Sequence, residues 1–473
     1  MAARKMENGS GGGGGGTLQE PKPEATGALR EIDVSEVEVA FEFEERFRDI
    51  VRFDHDRGRW YEWDGSIWRE QRTGRTFHRI VSFCFMLSAE FGNLNAARKA
   101  SFSRGVESIA KCGPELAVTS EIWNCDPFLL GTPAGTVDLR TGGLRMPRLD
   151  DYITKATTVA PTVNADCPKW LRFLKEATGA NADLIRFLRQ RAGYSLTGLT
   201  IEHKLVFVFG PGGNGKSVWA NTIAGIMGDY AIKAAMDTFI ASQYGRHPTE
   251  LAWLQGARMV HAAETDEGRS WDEAKVKELT GGDIISARFM RRDFFQFRPV
   301  FSLTIIGNFK PNLNNVDEAM RRRILIVPFT NKPKTPNPKL EEELKDEWPA
   351  ILRWAIEGAQ DWQENGLAIP ETVKAATENY FDAQDVFSDW MADKCRAERD
   401  NPYLKGQPSK LFESWSAYAK ANNIPVGTLK SFGDKLESKG FLRHRTKAER
   451  YHIGIELKSP PPPPHERGDD DGG

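Results

Sequence analysis

Residues Gly210-Pro211-Gly212-Gly213-Asn214-Gly215-Lys216-Ser217 form a complete Gly-x-x-x-x-Gly-Lys-Ser phosphate loop, continued by Val218. Glycines let successive backbone N–H groups close around phosphate oxygens, and the partial positive charge of a helix N-terminus favours the anion. Lys216 is spaced to reach the β- and γ-phosphates of ATP, and the Ser217 hydroxyl is placed to ligate Mg2+. The competing reading is a Gly-rich turn that binds nothing, and the flanking sequence argues against it. Leu205-Val206-Phe207-Val208-Phe209 ahead suits a buried parallel strand, and Val218 to Met227 behind suits a helix, which completes the strand, loop and helix order the motif needs.

Hydrolysis asks for a carboxylate at the end of a neighbouring strand. Arg258-Met259-Val260-His261-Ala262-Ala263-Glu264 supplies an apolar strand ending in Glu264, which could hold Mg2+ through water or orient the attacking water. Asp266 and Glu267 could share these tasks, so the metal and base roles stay undivided; a surface acid or helix-cap partner is the plainer alternative for Glu264. Phe301 to Gly307 reads as another buried strand, and Asn308 after it is positioned to sense a γ-phosphate, although Gly-Asn is also a common turn pair. Arg321-Arg322-Arg323 ahead of Ile324 to Val327 is either surface charge or a source of guanidinium, from Arg321 or Arg322, that crosses a subunit boundary to a γ-phosphate.

Between Glu264 and Asn308 the chain is basic. Trp271 to Asp283 reads as a short helix ended by Gly281-Gly282, and Ile284 to Arg292 as a strand and loop dense in arginine. Lys277, Arg288, Arg291 and Arg292 could follow a single-stranded DNA backbone inside a ring, or simply form a solvated face.

These residues need a scaffold, and 473 residues allow roughly two to four domains. Residues 1–36 are Gly-rich and read as a disordered tail; 37–165 form a mixed, aromatic-rich lead-in; 166–345 hold the phosphate-loop core with its leading helices. A helical linker is expected over 346–385, a small domain over 386–457, and a Pro/Asp tail over 458–473. Within the lead-in, Glu44 to Val51 looks helical, and Arg59 to Trp68 looks like a hairpin around Asp64-Gly65. Its tryptophans Trp60, Trp63 and Trp68 either stack on bases or pack as core, and packing is the commoner use. Gly135 to Leu139 pairs through Arg140 to Gly143 with a return strand, and Trp170 to Tyr194 reads as helices.

No apolar run approaches the roughly 20 residues a bilayer crossing needs, so a cytoplasmic protein without membrane contact is expected. The five cysteines lack a Cys-x-x-Cys pair and are expected to be buried free thiols. A net charge of −2 means that any nucleic-acid surface must come from local clustering.

Taken together, Arg258 to Glu264, Lys277-Glu278-Leu279-Thr280-Gly281-Gly282-Asp283, Ile306-Gly307-Asn308-Phe309-Lys310-Pro311 and Arg321 to Arg323, with the phosphate loop, resemble the superfamily 3 helicase core of phage and plasmid primase-helicases, related to the poxvirus primase-helicase. Leu129 to Leu139 and Gly193 to Gly198 resemble that family's lead-in. The resemblance implies an α/β fold: a P-loop, AAA+-like superfamily 3 core with an α/β N-terminal lead-in and a C-terminal winged helix. It further implies an ATP-driven homo-hexamer moving on single-stranded or forked DNA in phage, prophage or plasmid replication, in a bacterial cytoplasm. Lys277 to Arg292 would be the pore hairpin, Asn308 the sensor, and Arg321 or Arg322 the finger. Larger family members carry a primase domain ahead of the lead-in. Only the Gly-rich tail occupies that place here, so a separate primase partner is expected. A ring ATPase that loads or packages DNA, and an initiator that uses ATP only to assemble, remain the alternatives. Helix-like Ser409 to Asn422 and Thr428 to Lys439, then a basic turn and Tyr451 to Leu457, follow the winged-helix order. Lys430, Lys435, Lys439, Arg443, Arg445 and Lys447 would put positive charge on one helix and the wing, either for DNA phosphates or as the solvated face of a protein-docking module.

Overall fold

The computed structural model describes residues 35–90, 95–242, 249–263, 267–313, 316–333, 335–422, 426–445 and 449–458. The chain divides into two compact units, 35–48 with 72–117, and 49–71 with 118–458.

In the smaller unit three helices, Glu36–Phe47, Arg75–Glu90 and Ala100–Ala110, present apolar faces. Phe83 lies edge-on to Phe43 and Phe47 at centroid distances of 5.8 and 5.6 Å. Ser35 caps the first helix through the Glu38 amide. This helix ends at Phe47, four residues short of the expected Val51. Val51 opens a strand instead, because the pairing of Val51–Asp54 with Arg59–Trp63 wins over local helix preference.

The larger unit is organised by a parallel sheet. Its strands are β1 (Leu205–Phe209), β2 (Ala231–Lys233), β3 (Met259–Ala263), β4 (Ser302–Gly307) and β5 (Ile324–Pro328), ordered β5-β1-β4-β3-β2. Alternate residues leave opposite faces, so a strand covered on both sides reads as an unbroken apolar run. One face, with Val206, Val208, Met259, Ile306, Leu325 and Val327, shares a core with Trp170, Phe187, Trp219 and Trp354. The other, with Leu205, Phe207, Val260, Leu303, Ile305 and Ile326, packs on Val276, Leu279, Tyr380 and Phe381. The protein is therefore mixed α/β with helices on both faces of a parallel sheet. Burying each such large side chain contributes about 1.5–3 kcal/mol.

Ahead of this sheet, Arg59–Trp63 and Trp68–Glu70 form the hairpin read at Asp64-Gly65. Its tryptophans pack inward: Trp60 and Trp68 are buried, Trp63 is half-buried, and the Trp68 indole donates to the Leu149 carbonyl at 3.0 Å. The strands Leu129–Thr132, Gly135–Asp138 and Gly143–Arg145 form a second antiparallel sheet. Arg258 joins it to the parallel sheet: its buried guanidinium donates to the carbonyls of Leu196 (2.7 Å) and Leu129 (2.9 Å) and covers the Tyr230 ring at 4.6 Å.

The C-terminal portion contains helices Val386–Lys394, Pro408–Ala421 and Leu429–Ser438 around Phe387, Trp390, Trp415, Phe432 and Leu436. The expected Tyr451 to Leu457 strand is two strands, Arg450–Ile453 and Ile455–Leu457. Gly454 breaks it at φ +84°, where a Cβ would stand 2.9 Å from the Glu398 and Arg399 carbonyl oxygens.

All five cysteines are free, but only Cys84, Cys167 and Cys395 are buried. Cys112 and Cys125 are exposed, since both fall in turns after core elements. Among the described residues no helix is long and apolar enough to cross a membrane.

Candidate functional site

Because β1 lies between β4 and β5, the loops leaving the C-terminal ends of β1 and β4 are neighbours. Strands in a sheet are about 4.8 Å apart, so residues just beyond those ends can touch. That is where Gly210 to Gly215 and Asn308 lie.

The loop leads into the helix Lys216–Met227. Gly213 and Gly215 adopt φ of +77° and +87°, which a side chain would strain, and a Cβ on Gly215 would lie 2.5 Å from Phe173 Cε2. Gly210 is fixed differently, since its Cβ would meet the Phe329 carbonyl oxygen at 1.9 Å. Asn214 is buried and its amide donates to that same carbonyl, so the loop is fastened to the residue after β5. Pro211, Gly212, Gly213 and Ser217 are exposed, and Val218 is half-buried.

Lys216 is folded back into the loop. Its Nζ lies 2.6 Å from the Gly210 oxygen and 3.0 Å from each of Pro211 O, Asn214 Oδ1 and Asn308 Oδ1. All four acceptors are neutral. Burial holds the Lys216 ammonium below the usual lysine range, with no carboxylate opposing that effect. An anion arriving here would meet a cation that is already partly desolvated and positioned.

A second cation near the same edge escaped the sequence reading. Lys310, two residues after Asn308, sits 4.5 Å over the Phe209 ring, and burial lowers its pKa as well. The available signal was a lysine in a strand-end Gly-Asn-Phe-Lys-Pro run. Glu264, read as metal ligand or base, lies outside the described residues, as does Asp266; Ala263 before it pairs in register with Ile306. Among the described residues no group of three His, Cys, Asp or Glu side chains could hold a metal.

The arginines are at the other end of the sheet. Arg321 and Arg322 precede β5, whose five residues run parallel to β1, so roughly 16 Å of strand separates them from the phosphate-loop edge. Arg321 lies 5.1 Å over Phe381 and 3.9 Å from Asp382, whereas Arg322 is exposed. Arg323 donates to Thr280 Oγ1 and the Ala319 carbonyl.

The basic segment is a helix and a hairpin. Lys277 is on the helix Glu273–Gly281 and pairs with Asp317 at 2.5 Å, so it is not part of the hairpin. Gly282 ends the helix at φ +77°. Ile285–Ala287 then pairs antiparallel with Phe295–Phe297, and Arg288, Arg291 and Arg292 occupy the tip. Arg288 covers Phe294 at 4.7 Å, while Arg291, at φ +61°, and Arg292 are exposed.

Three of the six C-terminal cations are engaged internally. Lys439 binds Asp385 at 2.5 Å, Arg443 binds Asp434 at 2.8 Å, and half-buried Lys435 lies 6.0 Å over Phe387. Lys447 lies outside the described residues.

Comparison with known proteins finds two family matches. Residues 42–179 match a family described as D5 N terminal like, and residues 208–323 match a family of unknown function (DUF5906). The chain is 24% identical over 271 residues to "Putative helicase 022R" of Frog virus 3, covering 52% of this chain and 27% of the relative. It is 26% identical over 296 residues to "Putative helicase L207/L206" of Acanthamoeba polyphaga mimivirus, covering 56% and 30%. The chain thus spans less than a third of the length of these curated relatives. A solved structure described as the A form apo structure of NrS-1 C terminal region-CTR is similar at a TM-score of 0.48 and 10% identity, covering 90% of this chain and 100% of that one. By its two family segments and its viral relatives, the chain belongs to a phage and viral primase-helicase-like family.

Proposed function

We propose that this protein is an ATP-dependent DNA helicase of superfamily 3, acting as a ring on single-stranded DNA in the replication of a virus or mobile element. The observation that carries the reading is the convergence of Lys216 and Asn308, from two neighbouring strands, on one end of a parallel sheet ordered β5-β1-β4-β3-β2. A γ-phosphate bound by the loop amides would draw Lys216 Nζ away from its neutral acceptors, and the released Asn308 amide would orient water. Mg2+, when bound with ATP, would neutralise phosphate charge. Exposed Ser217 at the helix N-terminus suits it, and a site completed by nucleotide oxygens needs no protein carboxylate cluster.

The separation of Arg321 and Arg322 from the phosphate loop of their own chain supports a site completed by a second copy, as in a hexamer. In that reading Arg322, which is exposed, is the finger. The hairpin tip with Arg288, Arg291 and Arg292 would follow the phosphate backbone of the strand in the ring. The fold reading is a P-loop, AAA+-like core with a C-terminal winged helix.

A forked-duplex strand-displacement assay with ATP and Mg2+ tests the proposal. ATP-dependent displacement that disappears in Lys216→Ala is expected. Hydrolysis without displacement would replace the helicase by a DNA-loading ATPase.

A further inference from the structure

The C-terminal hairpin holds a charge arrangement that its own fold does not balance. Arg443–Arg445 pairs antiparallel with Arg450–Ile453, and the register sets Arg445 directly opposite Arg450. Directly opposed side chains stand about 5 Å apart at Cβ, and like charges there are destabilising. Both arginines are exposed, and neither has a carboxylate partner among the described residues. Arg443, two residues earlier on the same strand, shows what balance looks like: it meets Asp434 at 2.8 Å and Glu437 at 3.2 Å. It also donates to the Lys430 carbonyl, which fastens the hairpin to the first turn of the helix Leu429–Ser438.

Edge-strand protection accounts for only part of this. Arg443–Arg445 is the edge of its sheet, where one charged side chain discourages pairing with another chain. It does not call for a second arginine on the inner strand, opposite the first.

We infer that Arg445 and Arg450 form a clamp for the phosphate backbone of duplex DNA. Guanidinium forks match phosphate oxygens bidentately, and an anion between them turns a repulsive pair into a binding site. Duplex is favoured over single strand by the opposite face of the hairpin. There His444 stacks on Tyr451 at 5.2 Å and Lys405 lies 5.2 Å over the same Tyr451 ring. These rings are occupied by each other and by a cation, so they offer no free platform for the unstacked bases that single-strand binding uses. Backbone contact without base stacking is the mode of duplex positioning. The inference rests on the reading of the chain as one that acts on DNA, and it adds a site remote in sequence from the phosphate loop.

The test uses the full-length protein carrying Arg445→Ser with Arg450→Ser, and a second variant with both as lysine. Binding to a blunt fluorescent duplex is measured without nucleotide across a salt series, beside single-stranded-DNA-stimulated ATPase and thermal unfolding. The serine pair is expected to weaken duplex binding about tenfold and to lower the slope of log K against log salt by about 1.8, the release from two phosphates. The lysine pair keeps the slope, stimulated ATPase is unchanged, and the melting temperature does not fall. Unchanged duplex affinity and slope in the serine pair would overturn the clamp and leave the arginines to an acidic protein partner or to edge protection. If the serine pair loses duplex binding while even the native protein lacks ATPase, the clamp stands and the motor reading fails.

Discussion

Lys216 Nζ lies 3.0 Å from Asn308 Oδ1, a contact between residues 92 positions apart in the chain. It ties the phosphate loop to the end of β4 through one proton. With three protons and four acceptors within 3.0 Å, the ammonium shares its donors, and every acceptor is a carbonyl or amide oxygen. Neutral dipoles hold the cation in place without cancelling its charge. A carboxylate at position 308 would cancel it.

Lys216→Ala is therefore expected to lower ATP hydrolysis by at least about 100-fold, in line with removal of a single positioned charge stabiliser. The melting temperature should not fall by more than a few degrees, since a partly desolvated charge leaves with the side chain. A phosphate-release assay beside thermal unfolding checks both; native-like turnover would remove Lys216 from the site.

Asn308→Asp should pin Lys216 in an ion pair and reduce kcat by about 100-fold, whereas Asn308→Ala should cost about tenfold with little change in KM. Steady-state kinetics of the two variants decides. If the alanine proves the worse of the two, the amide acts in some way other than by freeing the lysine.

Two loop glycines should behave oppositely. Gly210→Ala drives a Cβ to 1.9 Å from a backbone oxygen of Phe329, so about 1–3 kcal/mol of stability is lost. Gly212→Ala meets nothing within 4 Å and should change stability by less than about 0.5 kcal/mol. Urea unfolding of both variants gives the comparison, and equal midpoints would mean that the loop relaxes around the added methyl group.

Arg291→Ala with Arg292→Ala should leave basal hydrolysis intact and abolish its stimulation by single-stranded DNA, because both side chains are exposed at the hairpin tip. Equal stimulation of native and variant protein would show that DNA does not pass this hairpin.

Asp385 gives a pH signature. Burial raises its pKa, but hydrogen bonds from Lys439 and Ser388 outweigh that and hold the carboxyl below its usual range. A depressed folded pKa stabilises above the unfolded value of about 3.9, and this stabilisation is lost as pH falls through the folded value. Asp385→Asn should thus cost about 1–3 kcal/mol at pH 7 and progressively less below pH about 3.9, as read by unfolding across that range. A deficit independent of pH would assign the loss to packing.

Much of the site was legible because its pieces are local. A strand buried on both faces leaves an unbroken apolar run, and Leu205 to Phe209 needed no partner to be recognised. The Lys216–Asn308 contact was not legible in the same way, because it depends on β1 lying between β4 and β5, an order that neither run encodes alone. Long-range ion pairs had the same effect. Lys277 and Lys439 looked like free cations until Asp317 and Asp385 were found beside them. The end of the first helix was missed because Val51 pairs across a turn with Glu62, a contact that local preference does not see.

Arg258 has a consequence for how the protein can be divided. One buried guanidinium binds carbonyls in Leu129 and Leu196 while beginning the strand that leads to Ala263. Leu130, Val137 and Leu139 share a single core with Val206, Val208 and Leu352. The two family matches, 42–179 and 208–323, therefore meet inside one cooperative folding body. A fragment cut between them would expose the shared core on both products, so dissection of this protein is better done by point substitution than by truncation.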